Sequence, residues 1–252
     1  MSPEAVIGSG VEIGPGTVIH EGVQVGDHSR IGPYCFLGTK DPAKLGTTII
    51  GEGATIRSHS VVYPDVVLGP RVETGHHVVI RDGTRAGKNL RVGNFSDIEG
   101  KCKVGDYCRV HGYVHVGRGS TVGNFVWLYS LVTVTNDPLP PSEVFEPVVI
   151  GDGTVVCVGA TLMPGVRIGK GAFVCAGAVA RGEIPSGGVV AGPEGLIVNH
   201  VRNLVHLRSG LQHPWMNHFR RGFPDECLER LENLRREILA SDIRDGSEME
   251  GR

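Results

Sequence analysis

The chain has 252 residues, including 38 glycines, with 40% hydrophobic residues, 6% aromatic residues and a formal net charge of −2. It contains no basic run, so it lacks the electrostatic footprint of a nucleic-acid-binding protein. No apolar run approaches the length of a membrane span, and residues 1–5 lack the basic and apolar regions of a secretory signal. We therefore expect a cytoplasmic protein that binds neither nucleic acid nor membrane.

An aliphatic residue recurs at every sixth position through three runs of the sequence. These runs extend from Ile7 to Leu37, from Ile50 to Val134 and from Ile150 to Ala180, and together they contain 27 hexads. Four residues after each aliphatic residue there is usually a small or β-branched one. The period fits short strands separated by tight corners, and hexapeptide periods are typical of parallel β-helices. With three hexads per coil, the sequence predicts an all-β prism of about nine coils over residues 1–198.

Two interruptions separate the runs. Thirteen residues lie between Leu37 and Ile50 in place of six, so a small loop must leave the prism there. The second interruption, 135–149, contains four prolines and is too irregular for a coil. Loops ejected from a rigid scaffold often carry binding residues. We therefore expect the second loop to lie near a functional site.

The six-residue period ends in the tail, 199–252, for which we predict helical structure. Within it, 213–224 is aromatic and basic. A helix is predicted from Pro224, with Asp225 and Glu226 in its first turn, where the helix dipole favours acids. An apolar stripe on this helix must pack against another surface, and its members are Leu228, Leu231, Leu234 and Ile238.

The six cysteines follow the repeat and do not have the spacing of a zinc site or a disulfide framework. Cys35, Cys102 and Cys108 occupy the small interior position of the hexad. We interpret them as small core residues, and we expect no metal.

Segment 151–180 carries a more specific pattern, G-D-G-T-V-V-C-V-G-A-T-L-M-P-G-V-R-I-G-K-G-A-F-V-C-A-G-A-V-A. It resembles the coenzyme A segment of the hexapeptide-repeat acyl-CoA-dependent acyltransferases. The resemblance implies a left-handed β-helix, a homotrimer with sites between subunits, and acetyl-CoA as acyl donor. By position, the residues that match the family's cofactor-binding segment are Gly159, Ala160, Gly177 and Ala178, and the cationic Lys170 and Arg181 are expected to meet the CoA phosphates.

The sequence V-T-N-D-P, 134–138, ends the uninterrupted coils before the second loop. It resembles the nucleotide-linked amino-sugar N-acetyltransferases. This resemblance implies transfer of an acetyl group to the amino group of a nucleotide-linked amino sugar, a small-molecule substrate. Asn136 and Asp137 would then contact the substrate, although N-D-P is also a strong turn signal.

Residues 18 apart in uninterrupted coils should lie above one another, about 4.8 Å apart. Asp97 is therefore expected beside His115, where a carboxylate raises the basicity of the imidazole and fixes its tautomer. His111 should likewise stack with Tyr129. We take His115, His111 and Asp97 as the candidate catalytic residues.

Residues 18 apart at the corners of the prism should also stack into columns, and these columns contain further candidates for substrate binding. Tyr113 is predicted to stack with His59, His77 and Phe95, as a flat platform for a sugar or a base. Arg118 is predicted to lie in the column that continues to Asn136 and into the second loop. Tyr113 and Arg118 therefore join Asn136 and Asp137 as candidate substrate-binding residues.

Three alternatives stay open from the sequence. The first is O-acetyl transfer to a sugar hydroxyl. The second is a zinc enzyme that resembles the γ-type carbonic anhydrases, although His111 and His115 are four residues apart and the family spacing is five. The third is a trimeric scaffold without catalysis.

Overall fold

The computed structural model describes residues 1–38 and 46–242. Most of the first predicted loop, residues 39–45, lies outside the described residues, as do residues 243–252. In the described part the chain forms a three-sided prism of short parallel strands, and each side of the prism is one sheet.

The strands follow one another around the three sheets in strict rotation. The first sheet contains Val6–Ile7, Val23–Val25, Thr48–Ile50, Val67–Leu68, Arg85–Ala86, Lys103–Val104, Thr121–Val122, Val149–Ile150, Arg167–Ile168 and Glu183–Ile184. The second contains Glu12–Ile13, Arg30–Ile31, Thr55–Ile56, Glu73–Thr74, Arg91–Val92, Arg109–Val110, Trp127–Leu128, Val155–Val156, Phe173–Val174, Gly188–Ala191 and Leu196–His200. The third contains Val18–Ile19, Phe36–Leu37, Val61–Val62, Val79–Ile80, Asp97–Ile98, His115–Val116, Thr133–Val134, Thr161–Leu162 and Val179–Ala180.

This arrangement confirms the predicted parallel β-helix. The nine strands of the third sheet mark nine complete coils, and Glu183–Ile184 with Gly188–Ala191 begin a further one. The strand Leu196–His200 then pairs antiparallel with Gly188–Ala191 and ends the second sheet. The domain boundary predicted after residue 198 falls inside this last strand.

The interior of the prism is filled as the repeat predicts. From Ile19 onwards the aliphatic residues of the hexads are buried, and so are small residues four positions later, including Cys35, Cys102 and Cys108. Interior hydroxyl groups such as that of Ser96, whose Oγ donates to the carbonyl of His111 at 2.8 Å, find local partners, whereas the buried hydroxyl of Thr84 has none among the described residues. Each buried Val, Ile or Leu stabilises the fold by roughly 1.5–3 kcal/mol, so the core is spread evenly along the axis.

The corners between strands require backbone with positive φ, which glycine adopts most easily. We call the corner between the first and second sheets the first corner, that between the second and third the second corner, and that between the third and first the third corner. At the second corner, residues with side chains adopt this conformation in successive coils, for example Phe95 at φ 57° and Tyr113 at φ 60°. Their rings stack on one another, which offsets part of the backbone cost.

This stack, the aromatic ladder, contains five rings. Successive ring centroids are 5.3, 4.7, 5.0 and 5.1 Å apart in the order Tyr34, His59, His77, Phe95 and Tyr113. The predicted column of four is therefore confirmed. Tyr34 extends it below the first interruption.

The tail contains 3₁₀ turns at Val201–Asn203, Trp215–Asn217 and Asp225–Cys227, followed by one α-helix, α1, at Leu228–Ala240. The helix predicted from Pro224 is thus present, and its stripe residues Leu231, Leu234 and Ile238 are buried. In residues 1–38 and 46–242, no helix is both long enough and apolar enough to span a membrane.

Helix α1 packs on the first corner of the prism. The packing depends on glycine, because a Cβ at Gly171 would lie 2.3 Å from Cδ1 of Ile238, and a Cβ at Gly153 would lie 2.6 Å from Cε of Met216. Polar contacts support it. Glu226 accepts hydrogen bonds from Arg71 at 2.9 Å and Lys88 at 3.0 Å.

Candidate functional site

The predicted pairing of His115 with Asp97 is confirmed. The two residues are direct partners in the register of the third sheet, and Nδ1 of His115 lies 2.8 Å from Oδ2 of Asp97. Both side chains are partly exposed, so a solute can reach the free Nε2 side of the imidazole. The hydrogen bond to Asp97 raises the pKa of His115, while partial burial acts in the opposite direction. The pair has the geometry of a general base held by a carboxylate.

His111 lies across the second corner, on the side of the second sheet. Its ring stacks on Tyr129 with centroids 4.4 Å apart, as the column predicts, and Trp127 approaches it at 6.3 Å. Burial lowers the pKa of His111. Its imidazole is therefore neutral at physiological pH.

Tyr113 lies between the two histidines along the chain, at the second corner and at the top of the aromatic ladder. It is 58% exposed, which leaves its ring accessible as a platform. The corner thus places Tyr113 between a half-buried neutral histidine and a histidine paired with a carboxylate.

The remaining substrate-binding candidates lie elsewhere. Arg118 and Asn136 lie on the third corner, where Asn136 Nδ2 is 3.4 Å from the carbonyl of Arg118. The carboxylate of Asp137 accepts hydrogen bonds within the second loop, from the amide of Leu139 at 3.0 Å and the hydroxyl of Ser142 at 2.6 Å. Asp137 therefore shapes the loop, as the turn alternative predicts. The structure does not bring these three residues to Tyr113.

The candidate cofactor residues Gly159, Ala160, Gly177 and Ala178 lie together on the second corner, in successive coils. A Cβ built at Gly159 or Gly177 would meet no atom within 4 Å, so this edge is open. The amides of Gly159 and Gly177 already donate to the carbonyls of Ser130 and Val158. These two amides are therefore not free to bind a ligand along this edge.

The two cationic candidates lie on other corners. Lys170 is on the first corner and pairs with Glu237 of α1 at 2.7 Å. Arg181 is on the third corner and donates to the carbonyl of Pro193 at 3.1 Å. Neither side chain borders the open edge at Gly159 and Gly177, so the structure separates them from the other cofactor candidates.

Two further features were missed in the sequence. The column of His111 and Tyr129 continues above the second loop with Cys157 and Cys175. A groove of about 500 Å³ also runs along the second sheet below the tail, lined by Arg57, Arg91 and Arg109 together with His111 and Tyr113. Arginines at outward positions of a strand look like ordinary surface residues in a sequence. Only their convergence under the tail distinguishes them.

No group of three or more His, Cys, Asp or Glu side chains suited to a metal ion occurs in the described parts of the chain, 1–38 and 46–242.

The fold defines the chain as a parallel β-helix built from hexapeptide repeats. The family model of the bacterial transferase hexapeptide (six repeats) matches residues 4–39 and 47–82. Hexapeptide repeats of this family are thus identified in the first third of the chain, and the predicted all-β parallel β-helix with a C-terminal helix is confirmed. A UDP-N-acetylglucosamine acyltransferase structure from Campylobacter jejuni shares the fold, with a TM-score of 0.60 and 19% identity over 92% of this chain and 81% of that one.

Two curated relatives are more similar in sequence. The bifunctional protein GlmU of an Exiguobacterium species is 31% identical over 180 residues, which is 66% of this chain and 38% of the relative. The acyl-[acyl-carrier-protein]–UDP-N-acetylglucosamine O-acyltransferase of Bartonella bacilliformis is 30% identical over 130 residues, 47% of each chain. The chain thus spans less than half the length of these relatives.

Proposed function

We propose that the chain is an acyltransferase that moves an acetyl group from acetyl-CoA to the amino group of a nucleotide-linked amino sugar. The observation that carries the proposal is the His115–Asp97 pair, 2.8 Å apart, beside the open second corner. The hexapeptide repeats and the UDP-N-acetylglucosamine named in a relative's description support the substrate class. The active form is a homotrimer, in which a second subunit completes the site.

His115 acts as the base. Its Nδ1–H donates to Asp97, which leaves Nε2 unprotonated in the neutral imidazole and available to an incoming nucleophile. The substrate amine gives a proton to Nε2 as its nitrogen attacks the thioester carbonyl. The C–S bond then breaks, and the CoA thiolate takes the proton from His115. Asp97 stabilises the imidazolium throughout and keeps its own negative charge.

The donor and the acceptor approach from different directions. The pantetheine arm lies along Gly159, Ala160, Gly177 and Ala178. The sugar lies against Tyr113, with His111 at its other side. Of the two cationic candidates, Lys170 pairs with Glu237 and Arg181 lies on the third corner, so each would have to move to meet a CoA phosphate. In the trimer, Arg118, Asn136 and Asp137 serve the site of the adjacent subunit.

A sugar hydroxyl is the second candidate acceptor. An alcohol needs a base more than an amine does, and the carboxylate-held imidazole of His115 is a built base. The relative from Bartonella bacilliformis is described as an O-acyltransferase with an acyl-[acyl-carrier-protein] donor. Both donor types therefore belong in the assay.

The test is an acyl-transfer assay with acetyl-CoA and acyl-[acyl-carrier-protein] over UDP-linked sugars, in pairs that carry an amine or a hydroxyl at the same carbon. We expect acetyl transfer to an amino sugar and loss of activity in His115→Ala. The tail variant His206→Ala is the matched control. Transfer only to the hydroxyl partners would replace the amine by the second candidate. No transfer with any donor would overturn the proposal.

A further inference from the structure

Three arginines line the groove on the second sheet. It runs beside the second corner, where Gly75, Gly93 and Gly112 also line it. Arg91 and Arg109 lie on neighbouring strands in direct register, so their backbones are one strand spacing apart. Arg57 lies at the lower end of the same groove. We call these three side chains the arginine groove.

Arg109 is the most constrained of the three. It is only 7% exposed, and the hydrogen bonds of its guanidinium go to neutral oxygens, namely the carbonyls of Asn89, Cys108 and Gly222 and the side-chain oxygen of Asn89. Burial lowers the pKa of Arg109 to about 10, so it stays cationic at neutral pH. The ring of Phe223 also lies 5.0 Å from its guanidinium carbon. A buried cation held only by neutral oxygens and an aromatic face is costly unless an anion reaches it.

The neighbouring charges leave the groove positive. Glu73 pairs with Arg91 at 3.5 Å and is the one acidic residue among those that line the groove. Arg57 is held at the floor by a 2.7 Å hydrogen bond to the carbonyl of Thr74. The groove therefore contains three guanidinium groups against one carboxylate.

The tail closes the upper end of the groove. The carbonyl of Gly222 accepts from Nη2 of Arg109 at 3.1 Å, and Nη1 of Arg91 lies 4.0 Å from a Cβ placed on Gly222.

We propose that the arginine groove binds the phosphate groups of a nucleoside diphosphate and so directs the linked sugar to His111 and Tyr113. Guanidinium groups recognise phosphate bidentately, and Arg91, on the strand beside Arg109, is placed for this contact. The Nη hydrogens of Arg109 are already donated to Asn89, Cys108 and Gly222, so Arg109 contributes its positive charge. The ring of Trp127 lines the same groove and offers a stacking surface to the nucleoside. The claim that the sugar is directed to His111 and Tyr113 rests on the proposed function, whereas the claim that the groove binds phosphate does not.

The test is calorimetric titration of the full chain with UDP, UMP and uridine at low ionic strength. We expect affinity to fall in that order and to weaken with added salt. Arg91→Ala and Arg57→Ala should each weaken UDP binding by about tenfold, the typical effect of losing a hydrogen bond to a charged group. Arg109→Lys keeps the buried charge and should retain UDP binding, with melting temperature as the check on folding.

Two variants serve as controls. Arg167→Ala removes an arginine that pairs with Glu183 at 3.6 Å on the first sheet, so it matches Arg91 in setting but lies on another face. It should leave UDP binding unchanged. Glu73→Gln removes the carboxylate that competes for Arg91 and should tighten UDP binding.

Each outcome has a separate meaning. UDP binding that is absent in the wild type, or equal in the wild type, Arg91→Ala and Arg57→Ala, overturns the groove as a phosphate site while the acyl-transfer assay can still succeed. UDP binding that depends on the arginines, in a chain that transfers no acyl group, supports the groove and removes the proposed function.

Discussion

Asp97 and His115 occupy the same position in successive coils, and the parallel register of the third sheet sets their side chains 2.8 Å apart. The repeat itself therefore builds the pair, since any two outward residues at this spacing become neighbours. What is specific is their chemistry. A carboxylate below a histidine gives the imidazole a fixed tautomer and a raised pKa.

Replacing Asp97 by Asn should alter the pH dependence of acyl transfer. Because Asp97 raises the pKa of His115, kcat/KM of the wild type should rise through a pKa above the ordinary histidine value as the base loses its proton. In Asp97→Asn this limb should move to lower pH, and the plateau should fall by about tenfold or more. The negative charge of Glu99 also raises the pKa of His115, so Glu99→Gln should give a smaller shift in the same direction. A limb that stays in place in both variants would exclude His115 as the base.

The open edge at Gly177 predicts a change in KM for acetyl-CoA. Gly177 has φ 68° and no atom within 4 Å of a built Cβ, so Gly177→Asn should fold normally while its side chain obstructs the pantetheine arm. We expect the KM for acetyl-CoA to rise about tenfold with kcat nearly unchanged. Gly153→Asn is the matched control, because Gly153 has φ 70° but is covered by Met216. It should lower the melting temperature and leave KM unaffected. A raised KM for acetyl-CoA in Gly153→Asn with an unchanged KM in Gly177→Asn would instead place the acyl donor at the first corner.

The contact of α1 with the first corner predicts coupling between Gly171 and Ile238. Ile238→Ala should destabilise the fold by about 2–5 kcal/mol through the cavity it leaves. Gly171→Ala should also destabilise it, because φ is 62° there and the new Cβ would lie 2.3 Å from Ile238. In the double variant the clash is relieved, so the loss in free energy of unfolding should be smaller than the sum. Additive losses in urea denaturation would show that α1 does not sit on Gly171 in solution.

The interactions of Glu226 predict that the tail is released from the prism in acid. Hydrogen bonds from Tyr107 and Lys88 lower the pKa of Glu226 to about 2. A carboxylate whose pKa is depressed on folding contributes stability above its unfolded pKa and loses it as pH falls towards the folded value. Cleavage of the tail by an acid-active protease should therefore increase between about pH 4 and pH 2. In Glu226→Gln the tail should already be more sensitive at neutral pH to a protease active there, whereas Glu229→Gln, in the first turn of α1, should match the wild type. Equal cleavage of all three proteins at neutral pH would contradict this role for Glu226.

The regular part of the prism follows from sequence, because one period sets strand, corner and interior position at once. The position of Tyr34 did not follow, since the first interruption changes its distance to His59 from 18 to 25 residues while the rings still stack at 5.3 Å. The continuation from Tyr129 to Cys157 is hidden in the same way by the second loop. A constant spacing reveals a column only where no loop intervenes.

The contacts of Lys170 and of the arginine groove depend on the tail, which has no sequence repeat from which its position could be predicted. The stripe on α1 predicts that a face is buried but not which corner covers it. Lys170 was expected to meet a phosphate, yet it pairs with Glu237 of α1 at 2.7 Å. The arginine groove likewise becomes recognisable only once the carbonyl of Gly222 is seen on Arg109.

The rotation of strands around three sheets limits which insertions and deletions this chain can accept. Loss of 18 residues removes one whole coil and leaves every later residue on its own sheet. Loss of six residues between Asp97 and His115 would instead turn every later strand by one face and separate the pair. The strands after the two interruptions resume in phase, as Val25↔Ile50 shows across the first and Thr133↔Thr161 across the second. This chain should therefore accept the gain or loss of a whole coil, whereas the number of residues within a coil is fixed.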